Sequence, residues 1–217
     1  MGLPIAPMCL GVTVVEMSIT FLGLDAEMSD SELSKGAVIV QIGAAASPTD
    51  VFCEVIGWPI GSYHKTSRAM AVHGISEEEI AQAPPPAEVD ARFWDWLCHH
   101  GASVDKKAVV PVGFNVNGFD LPFVRAYLPK SYALLSRRVV DLNGLLYTFA
   151  ECMPYEGSRP TSSGWKRIAK RYAAEALANA GVAPKWHDAG YDAAAALLVR
   201  EFFRGLISGR SGISSPS

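Results

Sequence analysis

Asp25 and Glu27 stand two residues apart at the end of the apolar run Ser18–Asp25. Alternate side chains of a strand leave the same face, so the two carboxylates project side by side. Paired carboxylates on one strand end make a ledge for a hard divalent cation. In a chain with 22 acidic residues such an Asp-x-Glu pair also arises by chance, and a solvated strand end is the competing reading. The apolar run ahead of the pair weighs against it, because that run makes the pair the terminus of a buried strand.

Two further segments carry matching chemistry. Gly113-Phe114-Asn115-Val116-Asn117-Gly118-Phe119-Asp120-Leu121-Pro122-Phe123 reads as a strand, a turn and the start of a helix, with Asp120 at the junction. There Asp120 fits a helix N-cap as well as a metal ligand, and Asn115 and Asn117 fit a turn. Strand-to-helix junctions of open α/β sheets are also where ligands are held. The third segment is His187-Asp188-Ala189-Gly190-Tyr191-Asp192, ahead of the helix-forming run Ala193–Val199. Residues five apart lie roughly 140° from each other around a helix, so His187 and Asp192 reach one site only if His187 belongs to the loop leading in. Pro184 upstream and Asp188 as N-cap suit that arrangement. A lone histidine before a helix is ordinarily a surface residue; the order of the three segments argues for more.

These side chains need a scaffold. Ser18–Asp25 and Ala37–Ala46 are apolar runs separated by the turn-prone Ser29, Asp30 and Ser34, which predicts a hairpin, and Val51–Gly57 predicts a third antiparallel strand after Ser47-Pro48-Thr49-Asp50. A loop and short helix fall around Val72–Gln82. Pro84-Pro85-Pro86 then breaks the chain before a helix over Glu88–His99, whose Val89, Phe93, Trp96 and Leu97 share a face. Ala108–Phe114 predicts a strand, Asn115–Gly118 a turn, and Leu121–Tyr127 a helix with Pro122 in its first turn. Further helices are predicted over Asp141–Glu151, Gly164–Ala178 and Asp188–Ile207. Strands first, then strand and helices alternating, imply an α/β domain on a mixed sheet. The expected organisation is an extension over residues 1–16, one domain over 17–207 and a Ser- and Gly-rich, fraying tail over 208–217.

Taken in order, Asp25-Ala26-Glu27, Asn115 with Phe119-Asp120, and His187-x-Ala-x-x-Asp192 resemble the three exonuclease motifs of the DEDDh family, which includes proofreading subunits of bacterial polymerases and oligoribonucleases. Val72-His73-Gly74-Ile75-Ser76 is similar to the family's His-Gly-Ile-Thr stretch. The resemblance runs from about Ile19 to Phe203. Asp188 occupies the place where the sister DEDDy group carries a tyrosine. Two departures stand out: Met28 replaces the Thr of many relatives, as in oligoribonuclease, and Asn115 with Pro122 is closer to the wording of family B polymerase proofreading domains.

The resemblance implies a ribonuclease H-like α/β fold, a mixed five-stranded sheet flanked by helices. It implies a 3′→5′ exonuclease that releases 5′-mononucleotides with two Mg²⁺ or Mn²⁺ ions, a choice that all-oxygen ligands favour over zinc. Asp25, Glu27, Asp120 and Asp192 would hold the ions, and His187 would serve as general base, an imidazole able to accept a proton near neutral pH. Ala26, Met28, His73, Asn115 and Phe119 would contact the substrate, with core packing the competing reading for Met28 and Phe119. The expected partner is a single-stranded or frayed 3′ end of DNA or RNA, DNA favoured, with a DNA polymerase as a further partner. RNA trimming is the enzymatic alternative, and a non-catalytic nucleic-acid-binding module is the alternative of another class.

Outside the motifs, Trp165, Ile168, Ala169 and Tyr172 predict the buried face of one helix and leave Lys166, Arg167, Lys170 and Arg171 outward, as a solvated basic face or a patch for phosphates. Asp141 reads as a helix cap and Cys98-His99-His100 as a helix end, not a zinc site. A formal charge of −3 excludes a general basic field, so nucleic acid would be gripped locally. Four scattered cysteines without a Cys-x-x-Cys pair give neither a zinc ribbon nor a disulfide framework. The apolar start lacks Lys or Arg before Lys35, unlike an export signal, and a cytoplasmic location without membrane contact is expected.

Overall fold

The computed structural model describes residues 20–105, 108–152 and 161–208. The expected extension over 1–16 and the tail beyond residue 208 lie outside the described residues.

Five strands form one sheet: β1 (Thr20–Met28), β2 (Ile39–Ala45), β3 (Val51–Val55), β4 (Val109–Gly113) and β5 (Val140–Asp141). Their spatial order is β3-β2-β1-β4-β5. β1 pairs antiparallel with β2, and β2 with β3, so the first three strands form the predicted antiparallel unit. β4 joins the other edge of β1 in parallel and β5 extends the sheet in parallel, giving the expected mixed sheet.

Eight helices among the described residues flank it: α1 (Ser67–His73), α2 (Glu77–Gln82), α3 (Pro86–His99), α4 (Asp120–Tyr127), α5 (Pro129–Leu134), α6 (Leu142–Cys152), α7 (Ser162–Asn179) and α8 (Ala189–Ile207). The single helix predicted around Val72–Gln82 is two, because Gly74 in the left-handed region ends α1 and Ser76 starts α2 with a reciprocal capping box to Glu79. Helix α5 lies outside the helices that the sequence pattern predicts. Buried Asp90 on α3 accepts the amides of Lys130 and Ser131 at 3.0 and 2.9 Å, satisfying the first turn of α5 across the fold. Asp141, expected to open the following helix, instead ends strand β5, and α6 starts at Leu142.

The pleat of β1 divides two cores. Leu22, Leu24, Ala26 and Met28 face one side, with Phe93 and Leu97 of α3 and Val124 of α4. Phe21, Gly23, Asp25 and Glu27 alternate to the other side, where α6, α7 and α8 pack around the fully buried Phe203. Complete burial of such a phenylalanine contributes about 1.5–3 kcal/mol.

Candidate active site

The close approach of α8 to the sheet positions one half of the site. A Cβ on Gly23 would lie 1.9 Å from the Ala193 carbonyl oxygen, and one on Gly43 2.1 Å from the Ala189 carbonyl. Only glycines permit this approach, and the alanines of the α8 face complete the contact. Gly43 pairs with Asp25 in the ladder. Helix α8 therefore crosses β1 and β2 beside Asp25, and Asp192, in its first turn, looks toward the end of β1.

Asp120 arrives from the other side of the strand. It is the first residue of α4, with Phe119 at the N-cap, so it is not the helix cap that its position allowed. Its Oδ1 instead accepts the amide of Ala26 at 2.9 Å, a bond across 94 residues that fixes a buried carboxylate between Asp25 and Glu27.

His187 lies in the loop before α8, in the left-handed region at φ 66°, and is exposed. Its amide donates to Asp192 Oδ2 at 3.0 Å. Asp188 caps α8 by accepting the amide of Tyr191 at 3.2 Å. Buried Gln41 ties this loop to β2, accepting from the Ala189 amide at 3.0 Å and donating to Asp188 Oδ2 at 3.3 Å. His187 thus comes from the entering loop, as the helix geometry required.

Crowding governs the electrostatics. Burial, and then repulsion from Asp120, Asp192 and Glu27, pushes the Asp25 carboxyl well above the ordinary range. Burial and the neighbouring Asp192 and Asp188 push Glu27 up to about 8. Burial raises Asp120 against the pull of the Ala26 amide, and raises Asp192 against the pull of Lys170 and the His187 amide. Each carboxylate is one that desolvation and like charge discourage from ionising without a cation.

A divalent ion fits this donor set. Glu27, His187 and Asp192 each offer a ligand atom, all within 4.8 Å of one another. Asp192 Oδ1 is buried without a hydrogen-bond partner among the described residues, an oxygen whose desolvation is otherwise uncompensated. Asp25 and Asp120, the other two expected ligands, fall outside that group and act on it by charge, Asp25 being raised by Asp120, Asp192 and Glu27. The carboxylate oxygens of this set suit Mg²⁺ or Mn²⁺.

A cavity of about 430 Å³ opens beside Glu27, bounded by Ala26 and Met28 from β1, by Phe119 before α4 and by Arg68, Ala69 and Val72 from α1. Ala26 and Met28 are buried and Phe119 half-buried, so contact with the cavity and core packing coexist. Val72, not His73, lines it. The His73 ring accepts the Ile75 amide through Nδ1 at 3.0 Å, and burial holds its pKa below the usual value. Asn115, at φ 59°, makes the turn after β4 and donates its amide to Asp141 Oδ1 at 3.2 Å. Asp141 also accepts the amide of Asn143, at 3.0 Å, in the first turn of α6.

The basic face expected of α7 divides in two. Gly164, Trp165, Ala169, Ala173 and Leu177 are its buried residues, and Tyr172 is 36% exposed. Arg167 and Arg171 point outward as expected, but Lys166 and Lys170 do not. They are half-buried and turn toward the carboxylates, with Lys170 drawing Asp25, Glu27 and Asp192 downward. Phe114 and Trp186, under these lysines, were not singled out from sequence; the four-residue spacing of the lysines was the available signal.

No protein-family model matches the sequence, and no curated protein matches it. Solved nucleases share the fold. The Mg²⁺- and Mn²⁺-bound structure of Pop2p from S. pombe superposes with a TM-score of 0.62 at 13% identity, over 90% of this chain and 87% of that one. An E. coli exonuclease I complex with a dT13 oligonucleotide gives 0.57 at 18% identity, over 88% of this chain and 42% of that one. The nuclease domain of 3′hExo, a DEDDh family member bound to rAMP, gives 0.54 at 13% identity, over 87% and 92%. This chain spans about two-fifths of the exonuclease I chains it matches. The chain shares with these proteins the mixed five-stranded sheet flanked by helices that the motifs implied.

Proposed function

We propose that this chain is a metal-dependent 3′→5′ exonuclease that shortens single-stranded nucleic acid, DNA in the first instance, to 5′-mononucleotides. One observation supports this reading above the others. Carboxylates from β1, α4 and α8 gather about one strand end, and Asp192 keeps a buried oxygen that no hydrogen bond among the described residues satisfies.

Asp25, Glu27, Asp120 and Asp192 would hold two divalent ions, which when bound supply the positive charge that eases ionisation of a water and stabilises the departing oxygen. The residues themselves perform the rest. Asp120, anchored on the Ala26 amide, keeps the end of β1 and the start of α4 in fixed relation. The cavity between Met28, Phe119 and Val72 receives the terminal nucleoside and leaves its 5′ phosphate beside Glu27. A ring nitrogen of His187 takes the proton of the attacking water as its oxygen bonds to phosphorus. The bond from phosphorus to the 3′ oxygen of the preceding nucleotide then breaks, and that oxygen acquires a proton as the mononucleotide departs. The exposure of His187 on a loop lets the proton pass on to solvent.

Among the described residues, no helix is long and apolar enough to cross a membrane. A 5′-labelled strand incubated with Mg²⁺ or Mn²⁺ should shorten stepwise from its 3′ end and stay intact in EDTA. A strand that is shifted on a gel but never shortened would make the chain a binding module. Digesting DNA, RNA and short oligoribonucleotides in parallel separates the DNA reading from RNA trimming. A terminal mismatch removed faster than a paired end would support work beside a polymerase.

A further inference from the structure

Lys166 and Lys170 stand four residues apart on α7, and neither ammonium lies in open solvent. Lys166 Nζ sits 4.7 Å from the centre of the Phe114 ring. Lys170 Nζ sits 4.3 Å from the Trp186 ring and 5.5 Å from that of Phe114. Phe114 follows β4, and Trp186 precedes His187 in the loop before α8, where it packs edge-on against Tyr191 at 4.9 Å. The two rings thus form a shelf between the second and third acidic motifs. Aromatic faces hold an ammonium without neutralising it, so both charges stay available to an anion.

The position of the shelf gives it direction. Phe114, Trp186 and Ile168 of α7 pack with the core on the α8 side of the sheet. Met28 and Phe119, which bound the nucleoside cavity, pack with the core on the opposite side. The carboxylates lie between the two. Both lysines sit over Phe114, but only Lys170 also reaches Trp186, the residue before His187. Going from Lys170 to Lys166 therefore leads away from the acidic cluster.

The geometry points to Lys166 and Lys170 as the phosphodiester-binding subsite of the proposed nuclease, receiving two successive backbone phosphates of the strand as it approaches the carboxylates from the side opposite the nucleoside cavity. This rests on the exonuclease reading. Lys170 takes the phosphate nearer the carboxylates and Lys166 the one before it, while the shelf under them presents ring edges to the sugars. In a chain with net charge −3 the strand is gripped at this point and not by a general field.

Arg167 and Arg171 lie on the same helix but are exposed, and so provide a charge-matched control. The double variants Lys166→Met/Lys170→Met and Arg167→Gln/Arg171→Gln each remove two positive charges, and methionine retains the apolar stem. Binding of a fluorescent oligodeoxynucleotide is measured in Ca²⁺ as a function of salt, with thermal melting to confirm folding. Each phosphate contact on a single strand contributes about 0.7 to the slope of log K against log salt. The lysine double variant should lose about 1.4 of that slope and raise KM for oligonucleotides at least tenfold, and Lys170→Arg should recover most of the binding. The arginine double variant should keep the wild-type slope. Equal slope losses in the two doubles would show a diffuse basic face and overturn the inference, as would a lysine double variant with the wild-type slope. Because the readout is binding, it decides the subsite even if the wild-type chain proves unable to cleave, the result that would instead remove the nuclease reading.

Discussion

The metal-free protein should become less stable as pH rises through neutrality, and Glu27 allows the size to be estimated. Its carboxyl moves from an ordinary value of 4.5 to about 8 in the fold, first through burial and then through Asp192 and Asp188. A folded state that holds a proton more tightly than the unfolded chain loses stability with rising pH, from about 4.5 until the folded value is passed. At ~1.4 kcal/mol per pH unit the full interval is worth about 5 kcal/mol. Glu27 is open to solvent on one side, and screening reduces this to about 2–3 kcal/mol. For a chain of this length, where ~1 kcal/mol moves the midpoint by about 2–4 °C, the melting temperature in EDTA should fall by about 4–12 °C between pH 5 and pH 8.5. Glu27→Gln should make that fall shallower, since an amide has nothing to ionise, while Asp25, Asp120 and Asp192 keep their own shares of it, and millimolar Mn²⁺ should oppose it in the wild type. Calorimetry or circular dichroism across the pH series reads all three. A metal-free melting temperature that holds constant or rises to pH 8.5, with Glu27→Gln tracking the wild type, would refute the reasoning that burial and mutual repulsion load this strand end.

His187→Ala should lower kcat by about 10²–10⁴, the usual range for a general base, with Mn²⁺ affinity by titration calorimetry changed less than tenfold; parallel loss of both would make the imidazole a ligand. Asp120→Asn keeps an oxygen for the Ala26 amide and removes a charge, so it should abolish nuclease activity while melting at or above the metal-free wild type. Asp120→Ala leaves that buried amide unpaired and should cost about 1–3 kcal/mol, read by urea denaturation. Gly43→Ala forces a methyl group to 2.1 Å from the Ala189 carbonyl and should cost about 1–3 kcal/mol by overpacking, with a fall in kcat as α8 and Asp192 move outward.

What the sequence made legible was local. Periodicity marks β1 to β4 and the long helices because each carries its own apolar pattern, and the sequence assigns His187 to a loop because residues five apart on a helix cannot face one way. What stayed hidden depends on partners distant in the chain. Helix α5 starts where it does because Asp90, some 40 residues earlier, caps it, and β5 is a two-residue strand defined by Val112 and Gly113 beside it. Asp120 at a helix start fits a cap by any local rule, and only the approach of Ala26 assigns its oxygen elsewhere. On α7 the apolar face was drawn through Tyr172, yet it runs through Trp165, Ala169, Ala173 and Leu177, which turns Lys166 and Lys170 inward and leaves Arg167 and Arg171 in water.

That rotation matters for the charge balance of the site. Asp25, Glu27, Asp120 and Asp192 all have raised carboxyls, and Lys170 is the cation that acts on three of them. One ammonium offsets one negative charge, so the remaining carboxylates must keep protons or bind cations from solution. Keeping protons would leave Asp192 Oδ1 buried and unsatisfied, whereas divalent ions would satisfy it and allow every carboxyl to ionise. The lysine that partly balances the cluster would then be free to turn to a substrate phosphate. A glycine floor that admits α8, an amide that holds Asp120 and an aromatic shelf that carries Lys170 therefore serve one electrostatic end: they concentrate negative charge that divalent cations would balance, with a lysine beside it for the anion that follows.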